Sequence, residues 1–253
     1  KVRQDYKITL KKTTYPINGA LTIKDEKTGL EKEFAITSVP VYENTIHKPV
    51  LVEGKYWAPV NVGATSTTYS ADLAGCGYIF QWGRSYARFI NGSEDDLEEG
   101  PLSAELASTT YADKFITNTD GNDWLNEPDN TLWSGDNAQG PCPNGWRIPT
   151  SAEWTILRDK QHSGTATVDN RRLKIPHDPN QIGDDDLYLP ACGHHDKSAT
   201  SWNPPGTNGR YWSSSPATES RVSRFYFSNT TGNNSTVVSY PRADGYAVRC
   251  IQK

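Results

Sequence analysis

The chain has 253 residues, a formal net charge of −4, 35% hydrophobic residues and a mean hydropathy of −0.71. That length admits one large domain, or a domain of about 200 residues with an appendage, and eight Trp with thirteen Tyr supply the apolar surface for a core. The acidic balance and short basic runs argue against a nucleic-acid partner, and no apolar stretch approaches the ~20 residues needed to cross a membrane.

The opening residues, "KVRQDYKITL", show neither a signal-peptide pattern nor an initiator Met, as expected of a mature or trimmed form. Residues 1–48 read as β-structure. "YKITLKK" alternates apolar and polar residues, as does "ALTIKDEKTGLEKEFAI" on either side of a Lys-Thr-Gly turn. A hairpin plus one strand is too little to bury a core alone, so this segment is expected to be part of an immunoglobulin-like or pilin-like module, or to pack on the main domain. From residue 49 onward Trp, Gly, Asn and Pro rise and turn residues crowd together.

Two helices are predicted. "SAELASTTYADKF" (103–115) follows an acidic loop, "SEDDLEEG". "PTSAEWTILRDK" is the clearer one: Thr150 can cap it while Glu153, three residues on, reaches back to the Thr150 amide, which leaves Trp154 and Leu157 on one face. Elsewhere short strands alternate with long polar loops, and no repeat of 20–50 residues is visible. The fold class is therefore α+β, dominated by loops.

Several clusters invite chemistry. Cys192, His194, His195 and Asp196 in "ACGHHDK" are metal-ligand types, but adjacent histidines point to opposite sides of a strand and no second cluster completes a tetrahedral set; a surface turn with solvated histidines is the expectation. Asp184 to Asp186 lack EF-hand spacing and read as a solvated turn before the strand "LYLP". "NEPDN" (126–130) resembles the calcium- and sugar-binding triplets of C-type lectins but precedes the capped helix instead of following both helices. The serines of "WSSSP" have no identifiable base, and GxSxG, GxGxxG and P-loop motifs are absent. With no metal or cofactor expected, this favours a binding module over an enzyme. Cys76, Cys142, Cys192 and Cys250 contain no CxxC pair; an even count fits two disulfides in an exported protein, with three connectivities open, or four buried thiols in a cytosolic one.

Taken together, "CPNGWRIPTSAEW" (142–154), "LPACG" (189–193), "RYWSSSP" (210–216) and "GYAVRC" (245–250), preceded by "YWAPVNVGA", "GYIFQWG" and "NTLWSGDNAQGPCP", resemble the Fibrobacter succinogenes major paralogous domain over residues 49–253. That group is similar in fold to C-type lectins and to formylglycine-generating enzymes, whose "RLPTEAEW" motif is echoed by Arg147 to Trp154. The enzymes' paired catalytic cysteines and C-terminal motif have no counterpart, so the resemblance implies a C-type-lectin-like fold and no catalytic residues. It also implies that Cys142 pairs with Cys250, closing a loop of ~100 residues and stabilising by up to ~4–5 kcal/mol, with Cys76–Cys192 as a further bridge. Phe225, Phe227, Val248 and Cys250 are expected in the core, and Arg224, Tyr226 and Ser228 outward.

The stretch from Tyr211 to Cys250 further resembles the variable segment of proteins diversified by retroelements. Matched position by position, Arg221, Ser223, Tyr226, Ser228, Val238, Ser239, Tyr240 and Asp244 would form a ligand-binding surface, a residue mixture like that of a paratope. The implied protein is a surface-displayed, adhesin-like binder at the extracellular or bacterial outer-membrane surface. A lipid anchor or pilus would carry it, and its partner would be a protein or glycan on another cell, a phage or a host surface, met without a required calcium ion. The rival readings are an enzyme of the formylglycine-generating type and a structural pilus-tip subunit.

Overall fold

The computed structural model describes residues 18–24, 28–29, 31–37, 42, 47–68, 73–89, 96–179, 185–198, 202–229 and 234–253. Chain contacts divide the protein into two compact units, Lys1–Val41 and Tyr42–Lys253. In the first, β1 (Asn18–Lys24) pairs antiparallel with β2 (Glu31–Thr37). Of the predicted Lys-Thr-Gly turn between them, Thr28 and Gly29 are described, with Gly29 at φ 69°, a conformation that glycine adopts without penalty. The predicted strand "YKITLKK" lies outside the described residues.

The second unit begins with β3 (Val50–Val52), β4 (Lys55–Asn61), β5 (Tyr78–Gln81), β6 (Arg88–Phe89) and β7 (Leu97–Glu99). Helix α1 (Ala104–Ser108), β8 (Phe115–Thr117), β9 (Trp146–Arg147) and helix α2 (Ser151–His162) follow. Next come β10 (Thr167–Asp169), β11 (Arg172–Ile175), β12 (Leu187–Pro190), β13 (His194–His195) and β14 (Trp202–Asn203). The chain closes with β15 (Asn208–Pro216), β16 (Arg221–Ser228), β17 (Thr236–Pro241), β18 (Gly245–Ala247) and β19 (Arg249–Gln252). The architecture is α+β and sheet-rich: two short α-helices among the described residues, many brief strands and long loops.

The largest sheet runs in the order β14-β13-β18-β15-β16-β17, with β5 also pairing β18. A second runs β3-β4-β19-β9. Both therefore depend on the extreme C-terminus: β18 and β19 are consecutive in sequence, and each recruits a strand from the first third of the unit. The Cys142–Cys250 disulfide ties the loop ahead of α2 to β19, and Cys76–Cys192 ties the loop before β5 to the turn before β13. Both pairings implied by the family resemblance are thus present. Tyr42 belongs to this unit, its hydroxyl directed at Cys250 Sγ at 3.6 Å and its ring edge-on to Trp146.

Helix α2 has the predicted capping box, with Glu153 N–H donating to Thr150 Oγ1 and the Thr150 amide donating back to Glu153. Arg147 closes on the same carboxylate at 2.6 Å, so the "RIPTSAEW" motif is a helix-start device. Trp154 and Leu157 are fully buried. Trp154 stacks on Phe225 at 4.9 Å with nearly parallel planes and donates its indole N–H to the Trp212 carbonyl at 3.1 Å.

That carbonyl is free because β15 bulges against β16 between Trp212 and Pro216. The "WSSSP" serines serve this bulge. The Ser213 carbonyl accepts the Trp82 indole, Ser213 Oγ accepts the Ser215 amide, and Ser215 Oγ accepts the Ser151 amide at the start of α2. These serines, for which the sequence offered no base, are committed to holding the bulge and the start of α2.

Helix α1 is shorter than predicted. It stops at Ser108, whose hydroxyl, like that of Thr109, folds back on earlier carbonyls, a habit of Ser and Thr that competes with helix propagation. Arg84 then takes the carbonyls of Ala107, Tyr111 and Lys114. The acidic loop is also partly ordered into a sheet, since Leu97–Glu99 forms β7, parallel to β8.

The cap and the indole anchor differ in weight. Thr150→Ala should cost about 1 kcal/mol and Trp154→Ala about 3–5 kcal/mol, read as shifts in urea midpoint at unchanged slope.

Candidate functional site

Strand periodicity decides which candidate side chains can meet. In the β16–β17 ladder Val222 faces Tyr240, Arg224 faces Val238 and Tyr226 faces Thr236. On β15 Trp212 faces Arg224, Arg210 faces Tyr226 and Asn208 faces Ser228. These residues share one face of the sheet. The other face carries Phe225 and Phe227, which are fully buried, as expected, in a core that includes α2's Trp154 and Leu157. Val248 and Cys250 are likewise buried.

Four of the eight candidates, Tyr226, Ser228, Val238 and Tyr240, come together on the face turned away from α2. Val238 is 41% exposed there, and Tyr226, Ser228 and Tyr240 are half-buried. Ser223 and Ser239 pair with each other on the opposite face. Arg221 has the same parity, yet its guanidinium lies 5.8 Å from the Tyr240 ring centroid; it is half-buried and donates to the Ser239 carbonyl and to Asn122 Oδ1. Asp244 sits in the turn after β17, is 4% exposed and accepts the Tyr246 hydroxyl. The eight therefore do not form one surface, because alternation splits the strand residues and the turn draws Asp244 inward.

Arg224 departs from its expected outward placement in a different way. It has the right parity but is only 3% exposed, its guanidinium lying 3.7 Å from the Tyr240 ring centroid. Beside it Arg210 lies 5.7 Å from the Tyr226 and Tyr240 centroids and 5.8 Å from Tyr246, and its Nη1 donates to His194 Nε2 at 2.7 Å. Sequence reasoning missed Arg210, His194 and Tyr246. The parity of Arg210 with Trp212, and of Arg224 with Tyr226, was available in the sequence; the register between the strands was not.

The histidines are not solvated. His194 and His195 are both under 6% exposed, because β13 lies between β14 and β18 inside the sheet. Burial, then Arg210 and Arg224, pushes the His194 pKa down to about 2, so its ring is neutral. No group of three or more His, Cys, Asp or Glu able to hold a metal ion occurs among the described residues. Asp186 is paired with His177 and Lys174, while Asp184 lies outside the described residues. The "NEPDN" loop wraps fully buried Arg242, which donates to the Asp129 carbonyl, Asn130 Oδ1 and Asp123 Oδ2. Of the Asn-rich run, residues 230–233 lie outside the described residues. Its far end is pinned on α2, where the Ser235 amide donates to Gln161 and its carbonyl meets His162 Nε2.

Burial lifts the Asp244 carboxyl to about 6 from an ordinary value of 3.8, against the lowering effect of the Tyr246 hydroxyl and Arg210. The folded state then holds this proton more tightly than the unfolded chain. Its contribution to stability is full below pH ~4 and is lost as pH rises through ~6, a difference of order 3 kcal/mol. Urea unfolding across pH 4–7 should show wild type losing stability relative to Asp244→Asn over that window; parallel curves would refute the assignment.

The Fibrobacter succinogenes major domain matches residues 84–252. No curated protein and no solved structure matches the chain. The motifs at 56–64 and 77–83 precede the matched stretch, yet β4 and β5 within them pair with β19 and β18 inside it, so they complete the same sheets. The helix-start motif, the serine bulge and the disulfide-closed C-terminal strand all fall within residues 84–252, and the chain belongs to the Fibrobacter succinogenes major domain family.

Proposed function

We propose that this protein is a non-enzymatic, exported binding protein displayed at a cell surface, built on a C-type-lectin-like domain, whose ligand-contacting surface is the β15–β16–β17 face turned away from α2. The observation that carries this reading is the grouping of Tyr226, Val238 and Tyr240 with half-buried Arg210 on a sheet whose reverse side is locked to a buried core. Tyr and Arg give large contact area at little ordering cost, and a rigid support lowers the entropy lost on binding. Two disulfides fit an oxidising compartment. No helix among the described residues is long and apolar enough to cross a membrane.

The four cysteines are all in bridges, which supports binding over formylglycine-type chemistry, since that chemistry needs reactive thiols. The partner is a protein or glycan on another cell, a phage or a host surface, and the first unit, Lys1–Val41, presents the domain to it. Retroelement diversification is a narrower form of this reading. It would act most usefully at Tyr226, Ser228, Val238 and Tyr240, and a near-copy of the DNA for residues 211–250, altered only at adenines and beside a reverse transcriptase, would support it.

The test is binding of the purified chain to immobilised surface glycans, phage particles and cell-envelope proteins. Tyr240→Ala and Val238→Asp should each weaken the interaction by roughly tenfold or more, with Glu105→Gln on α1 as the unaffected control. Wild-type binding by both variants, at unchanged melting temperature, would place the contact elsewhere.

A further inference from the structure

We infer that Arg210 and Arg224 form a seat for a carboxylate, and that the ligand of this face is an acidic saccharide of the hexuronate kind. The inference deepens the binding reading above and rests on it.

Its basis is a surplus of buried donors. Tyr240, Tyr226 and Tyr246 lie 3.7, 5.0 and 5.6 Å from the Arg224 guanidinium. A ring in such a pair takes the π-face of the cation, whereas the N–H groups point outward in the guanidinium plane. Arg224 Nε and Nη1 are buried and reach no acceptor, and neither does Arg210 Nε. A guanidinium can only donate, so the bond from Arg210 Nη1 to His194 Nε2 fixes the imidazole proton on Nδ1. That Nδ1 is also buried without an acceptor. The sheet face thus gathers four unanswered N–H donors, while Asp244, the carboxylate nearest them, is engaged by the Tyr246 hydroxyl.

Two other buried arginines are complete, whereas Arg242 leaves its Nε unanswered but meets the Asp123 carboxylate. Arg249 places its Nε, Nη1 and Nη2 on Asn61 Oδ1 and the Ala58 and Tyr188 carbonyls, each within 2.9 Å. Arg84 reaches three carbonyls and Gln81. Those are structural staples. A pair of neighbouring cations with unused in-plane donors is a costly arrangement unless an anion completes it, and a planar carboxylate matches the fork of donors.

The saccharide half of the inference comes from Asn208. It lies two residues before Arg210 on the same strand and face, about 7 Å along it, and its Oδ1 is a buried acceptor with no donor. A sugar hydroxyl on the ring bearing the carboxylate spans that separation, and Tyr226 and Tyr240 offer aromatic faces to the ring's C–H groups. An acidic peptide could answer Asn208 only through a backbone N–H, since its carboxylate side chain brings no donor of its own.

Titration of the full chain with methyl glucuronide and methyl glucoside, which differ in the carboxylate, tests this directly, with sulfate and a glutamate-rich peptide as further arms. The glucuronide should bind roughly tenfold or more tightly than the other three. Arg224→Gln and Arg210→Gln should each remove most of that preference; if Arg224→Gln fails to fold, the half-buried Arg210 still decides the matter. Equal affinity for glucuronide and glucoside, an unaffected Arg210→Gln, or preference for sulfate or the peptide would overturn the inference. If Tyr240-sensitive binding to the surface panel survives such a result, the carboxylate seat alone is lost; if it too is absent, the binding face goes with it.

Discussion

The structure turns on the contact between Trp154 and the bulged strand β15. One side chain from α2 stacks on Phe225 and donates to the Trp212 carbonyl, fixing both the distance and the orientation of helix against sheet. The bulge makes that bond possible, since a regular ladder would use the same carbonyl for strand pairing. Trp82 exploits the next carbonyl, and Trp212 itself donates to the Phe80 carbonyl. Three buried indoles thereby satisfy their only donors on backbone oxygens, as burial demands, and cross-connect α2, β15 and β5. The opposite face of β15–β17 is itself partly covered, since Trp212 and Val222 join a second core cluster, and it leaves Tyr226, Ser228, Val238 and Tyr240 accessible.

Buried arginines divide the molecule into structural and unfinished regions. Arg84, Arg242 and Arg249 each gather carbonyl and amide oxygens from segments far apart in sequence. Arg242 additionally meets the Asp123 carboxylate at 3.1 Å, so the long loop between β8 and β9 is organised around a cation in place of regular pairing. Burial lowers the pKa of Arg84 and Arg249 to about 10, which leaves both charged at neutral pH. At Arg210 and Arg224 tyrosine rings surround the cations, Arg210 Nη1 meets His194, and Arg210 Nε with Arg224 Nε and Nη1 reach no acceptor. Arg242 also leaves its Nε unanswered, but an adjacent carboxylate balances its charge, and that difference is what the proposed carboxylate seat rests on.

The proposed binding role would draw on both regions. The disulfide-tied C-terminal strand and the Trp-centred core hold the sheet, and Tyr226, Val238 and Tyr240 lie on the face that carries Arg210 and Arg224. Asp244, in the turn between β17 and β18, supplies a partial internal counter-charge through Tyr246 and by proximity to Arg210. A partner bringing its own anion would complete what this single carboxyl leaves open.

Much of this was legible in the residues themselves. The capping box, the core role of Trp154, Leu157, Phe225 and Phe227, and the hairpin around Gly29 are local patterns, and local patterns follow from backbone geometry and side-chain period. The family resemblance supplied the disulfide partners. Other features depended on groups distant in sequence. Arg84 takes the Ala107 carbonyl near the end of α1 and those of Tyr111 and Lys114 beyond it, β8 recruits part of an acidic stretch into a strand, and the sheet interior buries His194 and His195. Alternation along β16 could be read from the chain, but which alternate set faces α2 is set by strand register and by one helix lying across one side. Sequence by itself thus determined the hairpin, the capped helix and the composition of the candidate surface. Only the tertiary structure decided that Tyr226, Ser228, Val238 and Tyr240 share one sheet face while Ser223 and Ser239 take the other, because a one-residue step along a strand reverses the face on which a side chain stands; it also brings the Arg221 guanidinium to the Tyr240 ring and buries Asp244 in a turn.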